Sequence, residues 1–184
     1  MPRSYFRNLI LMLGLCAAAS ALAQSGSWLD VPYVPQQKDG CGAAVMSMVM
    51  QYWRRQQGIP ASPEAEPESI LNALYAPSAH GIYASAMERY FQQNGFRTFA
   101  FSGQWDDFAR ELAKGRPLIA ALKPDTGGSL HYVVVAGVDM EQQLVLLNDP
   151  ARRKLLKEER AAFEQDWKAT HNWTLLVVPQ PAKH

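Results

Sequence analysis

The chain has 184 residues, with 18 Lys and Arg against 17 Asp and Glu, four His and two Cys. That length suits one domain that can bury a core without disulfide staples. A net charge of +1, with no long basic cluster, excludes the electrostatic footprint of a nucleic-acid binder.

The first segment reads as an export signal. Arg3 and Arg7 form a positive n-region, residues 9–15 run into alanines as an apolar h-region, and Ala21-Leu22-Ala23 is an A-x-A cleavage site before Gln24. The apolar run is short for a transmembrane anchor. Cys16 follows Leu15 rather than the small residue that lipoprotein processing needs. The expected organisation is a signal peptide, 1–23, and a periplasmic or secreted domain, 24–184, with no stable membrane span in the mature form. An uncleaved signal retained as an anchor is the alternative. Loss of Arg3 and Arg7 leaves 16 basic against 17 acidic residues, a net charge of −1.

Residues 25–31 read as a short leader strand. Val31-Pro32-Tyr33-Val34-Pro35 reads as an extended segment, because each proline biases its predecessor away from helix. A helix is predicted over 41–55, apolar on nearly every face through Val45, Met46, Met48, Val49, Met50, Tyr52 and Trp53, and so central to the domain. A proline- and glutamate-rich surface loop, 60–67, precedes helices at 68–75, 82–93 and 104–114, the last two closed by Asn94-Gly95 and Lys114-Gly115. The pattern then changes period. Segments 117–122, 131–138 and 143–148 are β-branched and aliphatic, split by Asp125-Thr126-Gly127-Gly128 and Asp139-Met140-Glu141. A helix near 159–168 precedes a last strand, 173–178. Helices first and an antiparallel sheet after is an α+β order, with the N-terminal helix packed on the sheet.

Cys41 is the only cysteine left after the signal. Free cysteine is often a small buried hydrophobe, yet an unpaired thiol in an oxidising compartment needs a reason. A three-residue hairpin loop, 139–141, pairs His131 directly with Asp149 on one face. A slip of one residue separates them, and Pro150, which cannot donate to a ladder, ends the strand. The three parts fit nucleophilic chemistry. A helix N-terminus and an imidazolium both favour the thiolate at Cys41, and Asp149 holds the ring of His131 in the useful tautomer. The backbone N–H of Cys41 and a side-chain amide, from Gln36 or Gln37, are the candidate oxyanion donors.

Gln36-Gln37-Lys38-Asp39-Gly40-Cys41-Gly42-Ala43-Ala44, His131-Tyr132-Val133-Val134-Val135-Ala136-Gly137 and Asn148-Asp149-Pro150 together resemble the papain-like bacterial cysteine peptidases related to the double-glycine leader peptidases, family C thirty-nine. The resemblance spans nearly all of the mature chain. It implies a papain-like fold, with Cys41 as nucleophile, His131 as general base and acid, Asp149 as orienter and an upstream glutamine as oxyanion donor. Gln36, five residues before Cys41, is the expected donor and Gln37 is expected to point elsewhere. The leader peptidases are usually fused to transporters. This chain resembles a free-standing exported member, so double-glycine specificity is not carried over.

The expected activity is hydrolysis of a co-exported polypeptide through a thioester. A thiol acyltransferase or transpeptidase of phytochelatin-synthase type and a non-catalytic papain-like binding domain are the alternatives. No cofactor or metal is expected, since His80, His131, His171 and His184 show no ligand spacing. Trp53, Trp105, Trp167 and Trp173 read as packing residues, and Gly127-Gly128 as a mobile turn before His131.

Overall fold

The computed structural model describes residues 26–124 and 129–181; the expected export signal, 1–23, and the expected turn at Gly127-Gly128 lie outside the described residues. Helix α1, Cys41–Gln56, has Ala43, Val45, Met46, Met48, Val49 and Met50 buried at 2 % exposure or less. An apolar surface on all sides has to be enclosed on all sides. Helix α2, Pro67–Leu74, packs on it on one side, and α3, Ala84–Gln93, adds Met87 and Phe91 to the same core. On the other lies an antiparallel sheet made of β1, Ser27–Trp28, β2, Phe96–Ser102, β3, Leu118–Leu122, β4, His131–Asp139, β5, Leu144–Asp149, β6, Arg153–Glu159, and β7, Trp173–Pro179. The strand order is β2-β7-β3-β4-β5-β6, with β1 paired to β4.

Helices α4, Trp105–Leu112, and α5, Arg160–Lys168, cover the opposite face, so the domain has three layers and two cores. Tyr132, Val134 and Ala136 of β4 join the α1 core. Val133 and Val135 join Phe108, Phe163 and Trp167 in the second. Strands buried on both faces read as continuous apolar runs, as β3 and β4 do.

Most elements lie within two residues of their expected bounds, but β2 and β6 have no counterpart among the expected strands, and both are edge strands of the sheet. The leader strand is also shorter than the 25–31 expected. The third difference is the register. The β4–β5 hairpin pairs Asp139 with Leu144, leaving a four-residue turn, 140–143, in place of the expected three. Asp139 Oδ1 accepts the N–H groups of Glu141 at 3.1 Å and Gln142 at 2.8 Å, and Gln143 adopts a left-handed φ of 54°. These local bonds keep Asp139 in the strand and lengthen the turn.

That longer turn alone puts His131 and Asp149 on opposite faces. A bulge corrects it: the register shifts between Val135↔Leu147 and Gly137↔Leu146, leaving Ala136 as the extra residue. An extra residue on one strand reverses the alternation beyond it. The second core accordingly takes Val133 and Val135 before the bulge and Val138 after it. Continuing the Val134↔Asn148 pairing sets Asp149 opposite Val133. His131 is thus a diagonal neighbour of Asp149 on one face, rather than the directly opposed residue expected.

Candidate active site

Cys41 opens α1 behind Gly40, which offers no side-chain cap, and the first turn carries no acidic residue. The unpaired N–H groups and positive end of the helix dipole are therefore not neutralised locally. Gly42 lets Ile82 pack closely on this first turn, since a Cβ on it would meet Ile82 Cβ at a tight 3.1 Å.

His131 begins β4 and Asp149 ends β5. His131 Nε2 lies 2.8 Å from Asp149 Oδ1. An ionised carboxylate only accepts, so the proton sits on Nε2 and Nδ1 is left for another partner. Burial opposes charge on His131, but hydrogen bonds and charges from Asp149 and Cys41 outweigh it and raise the pKa from 6.5 to about 9. The cysteine therefore bears on the same ring as the carboxylate. Burial likewise works against ionisation of Asp149, yet His131, the Ala151 N–H and Arg152 hold its carboxyl below the ordinary value. The Ala151 N–H donates to Oδ1 at 2.9 Å, fixing the carboxylate from its own turn.

The two glutamines diverge. Gln37 Nε2 donates to Glu68 Oε1 at 3.0 Å on an exposed surface. Gln36 Oε1 is buried without a hydrogen-bond partner, and the Gln36 N–H donates to the Pro150 carbonyl at 2.9 Å. The extended segment before α1 is tied to the strand end carrying Asp149.

Several neighbours were not singled out from the sequence. Tyr132, next to His131, has its hydroxyl pKa pushed up to about 12 by burial and by the charge of Cys41, and its ring meets Trp173 edge-on at 5.6 Å. Arg152 and Glu158 line a cleft of about 460 Å³ with His131 and Asp149. Burial, with Asp166 and Asp149 nearby, raises the Glu158 pKa. Alternation along β6 could have indicated Glu158, had β6 been recognised as a strand. His80 lies exposed in a left-handed turn with φ 46°. Trp53 donates its indole N–H to the Val177 carbonyl at 2.9 Å, and Trp105 and Trp167 pack in the second core. Among the described residues, no three His, Cys, Asp or Glu side chains gather as a metal site.

A cysteine-led helix packed on an antiparallel sheet is the architecture of papain-like cysteine peptidases. The chain belongs to the Peptidase_C39 like family, whose family model matches residues 28–175, and it is a cysteine peptidase by that membership. Its fold is similar to a protein described as a C39-like peptidase from Bacillus anthracis, with TM-score 0.65 and 17 % identity over 85 % of this chain and 99 % of that one. It is also similar to the peptidase domain of Streptococcus ComA, a bifunctional ABC transporter, with TM-score 0.60 and 19 % identity over 80 % and 98 % of the two chains. A double glycine motif protease from an AMS/PCAT transporter, in complex with its leader peptide, gives TM-score 0.61 and 19 % identity over 84 % and 95 %. A comparison with curated proteins finds no match.

Proposed function

We propose that the chain is an exported cysteine peptidase that hydrolyses a co-exported polypeptide through a Cys41–His131–Asp149 triad. The observation that carries this reading is the 2.8 Å contact of His131 Nε2 with Asp149 Oδ1, on a ring that also interacts with the helix-opening Cys41. The thiolate of Cys41 attacks the scissile carbonyl carbon while His131 holds the proton. The backbone N–H of Cys41 and the side-chain amide of Gln36 stabilise the oxyanion. His131 passes its proton to the leaving amine, the C–N bond breaks, and a thioester remains. His131 then takes a proton from water as that water attacks, and the Cys41 sulfur departs. Asp149 keeps the ring in the tautomer that presents Nδ1 to sulfur, and stabilises its charge.

A polypeptide substrate is supported by the structural neighbour held with a leader peptide. Small residues are expected at the cut. Among the described residues no helix is long and apolar enough to cross a membrane. Export rests on the signal-like 1–23 and predicts an intact mass beginning at or near Gln24. A full-length or lipid-modified species would overturn it.

Hydrolysis and acyl transfer share the first half-reaction and part when the thioester is resolved. Co-exported proteins captured by the Cys41→Ala protein, then incubated with wild-type enzyme with and without added amines and thiols, separate the two by product mass. Free carboxylate products support the peptidase, and products found only as acceptor adducts support a transferase.

A further inference from the structure

Asn148 belongs to the third sequence motif but has no part in the chemistry above. Its side chain is fully buried, at 0 % exposure, on the face of β5 opposite to Asp149. A buried amide must place its hydrogen bonds, and these go to two separate parts of the chain. Nδ2 donates to the Val31 carbonyl at 3.0 Å and more weakly to the Pro32 carbonyl at 3.4 Å. Oδ1 accepts the Leu155 N–H at 3.0 Å. Leu155 has a φ of +49°, a left-handed conformation that is costly for leucine. It sits where the β5–β6 register shifts, between Leu147↔Leu156 and Asp149↔Arg153.

The bonds on either side run in the same sense. The Tyr33 hydroxyl reaches the Asp149 carbonyl at 3.3 Å, and the Gln36 N–H donates to the Pro150 carbonyl at 2.9 Å. Residues 148, 149 and 150 are thus each tied to the extended segment before α1, and the Asn148 side chain also holds Leu155 within the β6 irregularity.

We propose that Asn148 is a positioning residue that aims the Asp149 carboxylate at His131, by clamping the end of β5 between the 31–36 segment and the left-handed Leu155. The proposal rests on the triad reading above. Asn148 touches neither sulfur nor imidazole; it acts by fixing the backbone from which Asp149 projects and the turn in which Ala151 donates to it. Without the clamp, Val31 loses its donor, Leu155 loses the acceptor that holds its φ, and Asp149 is free to rotate away.

The test needs no natural substrate. Iodoacetamide alkylates the Cys41 thiolate, the sulfur displacing iodide, and the pH profile of the rate reports the thiolate–imidazolium pair. Asp149 is one of the groups holding His131 protonated, so losing its aim moves the alkaline limb, where the imidazolium is lost, to lower pH. Asn148→Ser and Asn148→Ala are compared with wild type and Asp149→Asn. The alkaline limb should fall in the Asn148 variants by up to about one pH unit, while circular dichroism shows folded protein. A merely structural role lowers the melting temperature and leaves the profile of the folded protein at wild type, which would overturn the proposal. Tyr33→Phe, which removes a neighbouring tie without opening a cavity, should shift the limb in the same direction by less; if neither Asn148 variant folds, a wild-type profile in Tyr33→Phe overturns the clamp. If Asp149→Asn itself leaves the profile unchanged, the triad reading has failed, and the clamp with it. If Asp149→Asn shifts it and the Asn148 variants do not, only the clamp has failed.

Discussion

Two adjacent glutamines show how much a single residue's direction decides. Extended residues alternate, so Gln36 turns inward with a buried Oε1 while Gln37 is engaged with Glu68. Gln36→Ala should lower kcat by about 10² to 10³, the usual cost of one oxyanion donor, and Gln37→Ala by less than about twofold; a large defect confined to Gln37→Ala would reverse the assignment. Cys41→Ala and His131→Ala should abolish turnover with the fold intact, and Asp149→Asn should retain more because packing still orients the ring in part. Cys41→Ala protein with wild-type turnover would refute the assignment. The same residues govern stability against pH. The His131 pKa is raised from 6.5 to about 9, so its contribution is complete below pH 6.5 and is lost as pH rises through 9. Asp149, with a lowered pKa, contributes above its ordinary 3.8 and loses that contribution as pH falls. Cys41→Ala removes one of the charges that raise His131. Its melting temperature should therefore begin its alkaline decline at a lower pH than wild type, and coincident alkaline profiles would exclude coupling between sulfur and ring.

At the scale of elements, the bulge at Ala136 and the arrival of β1 are one device. β3 pairs with β4 over Leu118↔Val135 to Leu122↔His131, and β1 takes over at Trp28↔Gly137 and Ser27↔Val138. Ala136 lies at the handover, its carbonyl accepting the Leu29 N–H at 2.7 Å. Gly137 permits the approach: a Cβ there would stand 2.7 Å from Trp28 Cβ and 2.9 Å from the Ser27 carbonyl oxygen. Gly137→Ala should cost about 1 to 3 kcal/mol by overpacking, read by denaturant unfolding, and should expose residues 26–30 to proteolysis. Wild-type stability and protection would show that β1 adjusts freely. The two strands missed from sequence have different causes. β6, Arg153–Glu159, carries Arg153, Lys154, Lys157, Glu158 and Glu159, the charge that keeps an edge from pairing with other chains. That protection removes the apolar alternation by which a strand is recognised. β2, the other edge, follows Asn94-Gly95, which reads as the end of a helix more readily than the start of a strand.

For the molecule as a whole, the sheet is shared by two cores, and the candidate site lies where strand ends meet the start of α1. Trp167, 1 % exposed, packs on Phe108 at 4.8 Å and Phe163 at 5.4 Å between centroids. Trp167→Ala should cost about 3 to 5 kcal/mol. Because β3, β4 and β7 contribute to both cores, far- and near-ultraviolet circular dichroism should still report one transition. Separated transitions would mean that the layers unfold independently. By itself the sequence determined what a dozen neighbouring residues can encode: a central helix apolar all round, inner strands too apolar for any exposed face, and the order Cys41, His131, Asp149. The pairing of His131 with Asp149 was legible as chemistry but not as register. Two offsets, a longer turn held by Asp139 and a bulge at Ala136, together restore the shared face. Only the tertiary structure could decide this, since the bulge lies where β1, more than a hundred residues earlier in the chain, meets β4. The inward turn of Gln36 and the burial of Asn148 have the same origin: each depends on hydrogen bonds between the 31–36 segment and 148–150, whose partners no local pattern specifies.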